Sequence, residues 1–232
     1  MKVPTQTRSS VLRDLRALAD PEVRAKMAYF GVRVEKAHGI STPELHRLAK
    51  QIGKNHELAD QLWASGIHEA KNLASMIGEP RKVTDAQMER WARGFDSWDV
   101  VDGACCYLFA YSPLAWKKAF TWSRRKEEFV KRAAFSLMAY LSYKDKVSSD
   151  ADFLRFLTVI KRESRDDRNF VKKAVNWALR NIGKRNRALN RAAIRTAREI
   201  HALDSATARW IAADAIRELA GAAVQKRLRK KN

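Results

Sequence analysis

Cysteine is nearly absent: the chain of 232 residues has two, side by side at Cys105 and Cys106. An adjacent pair cannot staple a fold or complete a four-ligand zinc site. It also lies in the apolar stretch 102–109, Asp-Gly-Ala-Cys-Cys-Tyr-Leu-Phe, where cysteine behaves as a small hydrophobe. Packing is therefore expected of both, in a reducing compartment. Proline stops early, since all five (Pro4, Pro21, Pro43, Pro80, Pro113) precede residue 114, and beyond it only Gly183 and Gly221 interrupt the chain. Long helices are the expected outcome there. No stretch approaches the roughly 20 apolar residues of a membrane helix, and Met1-Lys2-Val3-Pro4 lacks the apolar run of a secretory leader, so an intracellular protein without a membrane association is expected.

Familiar catalytic signatures are missing as well. There is no Gly-rich phosphate loop, no Gly-x-Ser-x-Gly elbow and no His-Glu-x-x-His, and His38, His46, His56, His68 and His201 are scattered without metal-ligand spacing. Asp166-Asp167 alone reads as a helix-start pair rather than a metal site. Neither a metal nor a cofactor is expected.

What the chain does have is a core and a charge. Hydrophobic residues make up 46% and include seven tryptophans, enough to fold despite 46 Lys+Arg against 26 Asp+Glu and a formal charge of +20. The excess is uneven: residues 155–232 hold 21 basic and 7 acidic residues, a net of +14, leaving +6 for residues 1–154. Such a charge repels itself unless a polyanion offsets it, which makes nucleic acid the leading partner class. Part of the excess is the run Lys226-Arg-Leu-Arg-Lys-Lys231, read as a loose basic tail over 226–232 behind a single domain at 1–225. The rest, from Arg155 to Arg217, is interleaved with apolar residues at helical spacing and should form an ordered basic face.

Apolar residues recur at helical spacing in Phe129-Val130-Ala133-Ala134-Leu137-Met138-Leu141 and in Phe170-Val171-Ala174-Val175-Ala178-Leu179-Ile182. Nothing comparable alternates with a period of two, so the fold class expected is all-α. Ser41-Thr42-Pro43-Glu44 offers a hydroxyl cap, a proline at the first helical position and an acid in the first turn. Thr84, with Asp85 and Gln87 behind it, should cap the next helix through a capping box, and Asp96 can open another. The short segment Phe129-Val-Lys-Arg-Ala-Ala134 returns as Phe170-Val-Lys-Lys-Ala-Val175 after 41 residues, and Glu69-Ala-Lys-Asn-Leu-Ala74 is a weaker copy. That period falls in the range of HEAT and armadillo helical pairs, which stack into a curved solenoid whose concave face can cradle a duplex.

One segment stands apart, Phe95-Asp-Ser-Trp-Asp-Val-Val-Asp102. Trp98 and Asp102 are four residues apart and share a helix face. A carboxylate beside an indole suits a developing cation at a sugar ring. Spacing alone favours the plainer assignment, a core tryptophan and a solvated or capping acid.

Trp98-Asp-Val-Val-Asp102, Lys131-Arg132-Ala-Ala134 and Lys173-Ala-Val-Asn-Trp177-Ala-Leu-Arg180, in this order and at these separations, resemble the signature of the AlkD-like DNA glycosylases. Gly39-Ile-Ser-Thr-Pro-Glu44 resembles that family's early Gly-Ile-x-Thr-Pro-Glu segment, so the similarity spans roughly residues 25–220. Two positions depart from it: Phe30, or Tyr29 after a one-residue shift, stands at the family's early tyrosine, and Ser97 where some members place a second tryptophan.

The resemblance implies a right-handed solenoid of HEAT-like repeats with a concave basic face. It also implies removal of positively charged alkylated purines, N3-alkyladenine and N7-alkylguanine, from double-stranded DNA by a monomer associated with the prokaryotic nucleoid. By residue-wise carry-over, Asp102 is the catalytic carboxylate, stabilising an oxocarbenium-like transition state and positioning water, with Trp98 and Trp177 as aromatic walls. Arg132, Arg180, Lys172, Lys173, Thr42 and Phe30 are the implied DNA contacts. The composition is shared by two rivals, a non-catalytic HEAT-repeat protein that binds damaged or branched DNA and a basic RNA-binding helical-repeat protein.

Overall fold

The computed structural model describes residues 6–230; the Met1–Pro4 segment considered above lies outside the described residues, as do Lys231 and Asn232 at the end of the basic run. Among the described residues every regular element is helical: fourteen α-helices and two single 3-10 turns, with no strand. The all-α expectation is borne out. No helix of the described residues is long and apolar enough to cross a membrane. The contacts divide the chain into two compact units, one ending at Leu114 and one beginning at Ala115.

The first unit holds α1 (Arg8–Ala17), α2 (Pro21–Tyr29), α3 (Thr42–Ile52), α4 (His56–Trp63), α5 (His68–Ile77), α6 (Asp85–Ala92) and α7 (Trp98–Tyr107). These helices are short because capping residues and prolines punctuate them closely. The Ser41 hydroxyl accepts from Glu44 N–H, so α3 begins one residue before the position that the proline marks, with Thr42 and Pro43 both in its first turn. Thr84 caps α6 as expected, accepting from Gln87 N–H at 3.1 Å, but the capping box is not closed: the Gln87 amide turns to Asp60. Asp96 does not open a helix either. Ser97 stands at the N-cap of α7, and Asp96 takes the Lys71 ammonium at 2.7 Å. The core centres on Trp63 stacked on Trp91 with ring centroids 4.1 Å apart.

Contacts at the helix starts fix the relative direction of α3, α5 and α7. His68 N–H donates to the Lys36 carbonyl just ahead of α3, while Lys71 and His68 reach Asp96 and Asp99 at the start of α7. Helices α3, α5 and α7 therefore begin at one end and run parallel, with α4 and α6 returning between them.

The second unit holds α8 (Ala115–Trp122), α9 (Glu128–Lys144), α10 (Asp150–Glu163), α11 (Asn169–Gly183), α12 (Arg187–His201), α13 (Ala206–Ala220) and α14 (Ala222–Arg229). From α9 to α13 the helices run 14–17 residues, the length expected where proline is absent and glycine rare. The two repeat copies open α9 and α11, and their leading residues Phe129 and Phe170 meet with ring centroids 5.5 Å apart. Asn176 donates to Asp214 at 2.7 Å, and Arg180 pairs with Glu218, so α13 runs parallel to α11. Asp166 is not a helix-start residue: it lies three positions before α11 and holds Arg168 at 2.6 Å and Lys131 at 3.3 Å. The basic run is helical as far as Arg229, because Val224 and Leu228 are buried and tie α14 to the unit.

Candidate functional site

Helix α7 carries the first group of candidates. Trp98 is its first residue and Asp102 stands one turn later, and both are partly exposed, as is Cys106 a further turn on. Cys105, pointing to the opposite side, is fully buried. The packed face of α7 is Val100, Val101, Gly103, Ala104 and Cys105, which leaves Trp98, Asp102 and Cys106 as an open stripe. Trp98 is not a core residue. Its indole N–H donates to the Phe30 carbonyl at 3.1 Å, which ties the ring to the end of α2. Tyr29 and Phe30 meet edge-to-face with centroids 5.2 Å apart and remain 85% and 66% exposed, an unusual exposure for two adjacent aromatic rings. Thr42 is exposed in the first turn of α3.

Behind α7 stands a polar network that sequence reasoning missed. Helix α5 is almost wholly buried, yet it carries His68, Glu69, Lys71 and Asn72. His68 Nε2 meets Asp99 Oδ2 at 2.8 Å, and Ser97 donates to the other Asp99 oxygen at 2.5 Å. Lys71 donates to the Gly94 carbonyl at 2.8 Å as well as to Asp96. Gly103 sits so close to Asn72 that a Cβ there would approach its Oδ1 to 2.5 Å. These contacts set the rotation and height of α7, and hence of Asp102, against a buried neighbour. The signal in the sequence was the cluster His68, Glu69, Lys71 and Asn72 at the start of a helix whose remainder, Ser75 apart, is apolar.

Glu69 extends the network. Fully buried, it accepts from the backbone N–H groups of His38 at 3.0 Å, Gly39 at 2.8 Å and Ile40 at 3.4 Å. Gly39 has φ of +83°, and a Cβ there would come within 2.1 Å of the Asp20 carbonyl oxygen, so only glycine fits. The carboxylate thus clamps the loop that delivers Ser41 and Thr42 to α3.

Burial works against the charged form of both His68 and Asp99, but their mutual hydrogen bond and attraction outweigh it, leaving His68 raised and Asp99 lowered from their ordinary values. A raised imidazole contributes stability that is complete below the unfolded value near pH 6.5 and is lost as pH rises through its folded value. A lowered carboxylate contributes above about pH 4 and loses it as pH falls. The melting-temperature gap between the wild type and His68→Gln is expected to be widest at about pH 5–6 and to shrink as pH rises past neutrality. A gap that stays constant across a pH series of thermal melts would remove the charged pair from the account.

The second unit carries the other candidates. Trp177 on α11 is partly exposed and meets Tyr140 edge-to-face, with centroids 5.0 Å apart. Lys173 is exposed, and Lys172 lies 5.6 Å from the ring of the exposed Trp210. Arg180 is partly exposed but engaged, bonding Glu218 at 2.5 Å with Asp214 at 3.5 Å. Arg132 departs from expectation. It is 7% exposed and its guanidinium donates to the Phe170 carbonyl at 2.8 Å, bracing α9 against α11, so it offers no accessible charge to a phosphate.

Residues 11–219 match the family described as DNA alkylation repair enzyme. The chain belongs to that family. Among solved structures, one from a family of proteins related to the HEAT-like repeat DNA glycosylases, with affinity for branched DNA structures, superposes with a TM-score of 0.75. It is 24% identical, and the match covers 84% of this chain and 83% of that one. The likeness identifies the helical architecture of this family member as HEAT-like repeats. No curated protein matches the chain.

Proposed function

We propose that the protein is a DNA glycosylase that hydrolyses the N-glycosidic bond of positively charged alkylated purines, N3-alkyladenine and N7-alkylguanine, in duplex DNA. The observation that carries this reading is the open stripe of α7. An indole held by a backbone carbonyl and a carboxylate one turn away stand on a helix whose rotation a buried network fixes, in a chain of the DNA alkylation repair family.

Alkylation at N3 or N7 leaves the purine positively charged, so bond cleavage releases a neutral base and needs no general acid. The demand falls on the sugar. As the bond stretches, positive charge builds at C1′ and the ring oxygen, and a preorganised carboxylate stabilises it far better than bulk water does. Asp102 supplies that charge and accepts a hydrogen bond from the attacking water. The Trp98 face, rich in π density, favours the cationic nucleotide by about 0.5–2 kcal/mol. In the second unit Trp177, Lys172, Lys173 and Arg180 contact the DNA backbone, and Thr42 and Phe30 do so in the first. The protein acts as a monomer on DNA.

A second reading is favoured by the structural neighbour, whose family has affinity for branched DNA: a scaffold that binds DNA junctions without chemistry. Single-turnover assays on duplex DNA carrying 7-methylguanine or 3-methyladenine separate the two. Release of free base, detected chromatographically, is expected. Tight junction binding without any release would establish the scaffold instead.

A further inference from the structure

Several basic residues along α11 and α13 are already paired: Arg180 and Lys184 with Glu218, and Arg217 with Asp214. Helix α12 differs. Arg187, Arg191, Arg195 and Arg198 are all exposed, and among the described residues no hydrogen bond or ion pair engages any of their side chains. At 3.6 residues per turn the four lie within about 80° of arc and span about 17 Å along the helix axis. The buried side of α12, formed by Leu189, Ala192, Ala193, Ala197 and Ile200, packs against α10, α11 and α13, so the stripe faces away from Trp177 and Lys173. Glu199, exposed nearby, is committed to Lys161 at 2.7 Å.

We propose that this stripe is a second, sequence-independent binding face for the phosphate backbone of duplex DNA, so that one molecule can hold two duplex segments at once. Four unneutralised guanidinium groups in a row are costly in isolation and stable only where counterions or a polyanion gather. Duplex DNA presents about one negative charge per 1.7 Å of axis, so a 17 Å row of arginines meets several phosphates. Planar guanidinium forks bind phosphate bidentately, and an arginine row suits such oxygens better than lysines do. Contacts of this kind go to phosphate oxygens and carry no sequence information. The proposal shares with the proposed function only its partner, DNA; it requires no chemistry at Asp102.

The test compares the wild type with R187Q/R191Q/R195Q/R198Q and with the fourfold Arg→Lys variant. Glutamine keeps helix propensity at exposed positions, and circular dichroism melts check the fold. Two undamaged duplexes carrying different fluorophores report energy transfer when one protein bridges them. Wild type is expected to bridge at low salt. The glutamine variant is expected to lose bridging, to bind one duplex still, and to show a slope of log K against log salt reduced by up to about 3–4. The lysine variant is expected to retain most of the bridging. Base release from a methylated duplex, measured on the same variants, is expected to be unchanged, which separates this face from the α7 site. Bridging and salt slope equal to wild type in the glutamine variant would overturn the proposal. So would a wild type that binds one duplex only, or one that captures polyglutamate as tightly as duplex.

Discussion

Asp102→Asn is expected to lower single-turnover release of 7-methylguanine or 3-methyladenine by roughly 10²–10³-fold, the loss typical when a preorganised electrostatic partner is removed. Asparagine keeps size and shape, so α7 and its contacts with α5 should stay in place. Affinity for an uncleavable lesion analogue is expected to hold or rise, because a negative charge facing phosphates is gone. A loss confined to the rate marks charge stabilisation, whereas a loss of binding would mark a positioning role. Trp98→Ala and Trp177→Ala are each expected to lose less than Asp102→Asn, since one aromatic contact contributes only part of the positioning. Release at the wild-type rate by Asp102→Asn would mean that the carboxylate is not catalytic, and the junction-binding scaffold would become the better account.

Glu69→Ala is expected to lower stability by about 3–5 kcal/mol. The carboxylate is fully buried and serves the N–H groups of His38, Gly39 and Ile40, and alanine would leave those donors without their acceptor. Glu69→Gln keeps one acceptor oxygen and should cost clearly less. It also removes one of the negative charges that help hold His68 protonated, so the pH dependence of melting should weaken in the same variant. Denaturant melts of both variants measure the effect. Equal stability of Glu69→Ala and wild type would show that water replaces the carboxylate and that the loop needs no clamp.

The helices were legible because their apolar spacing is local. Phe129 to Leu141 and Phe170 to Ile182 repeat at 3.6 residues whatever surrounds them, and the recurrence after 41 residues revealed stacked units. Caps were legible where one residue decides them, as at Thr84. They were not where a distant partner competes: Asp96 is claimed by Lys71 and Gln87 by Asp60, contacts made 25 and 27 residues away. The same distance hid the α5 network. Charge reads as surface in a sequence, and only the packed structure shows that Arg132, Glu69 and Lys71 are interior. Trp98 and Asp102 were recognised by resemblance, not spacing, because a shared helix face says nothing about which side of the helix is covered. Arg187 to Arg198 contributed to the basic excess, but their freedom from partners depends on where the acids fall in space.

Helix α2 buries none of its side chains, and yet the carbonyl of Phe30, which caps its end, holds the Trp98 indole. A helix with so little covered surface opens at a small fraction of the cost of unfolding the domain, as amide hydrogen exchange would register. Each such opening breaks the hydrogen bond from the Trp98 indole to the Phe30 carbonyl. One anchor of the Trp98 ring thus rests on a helix far less covered than the buried network behind α7.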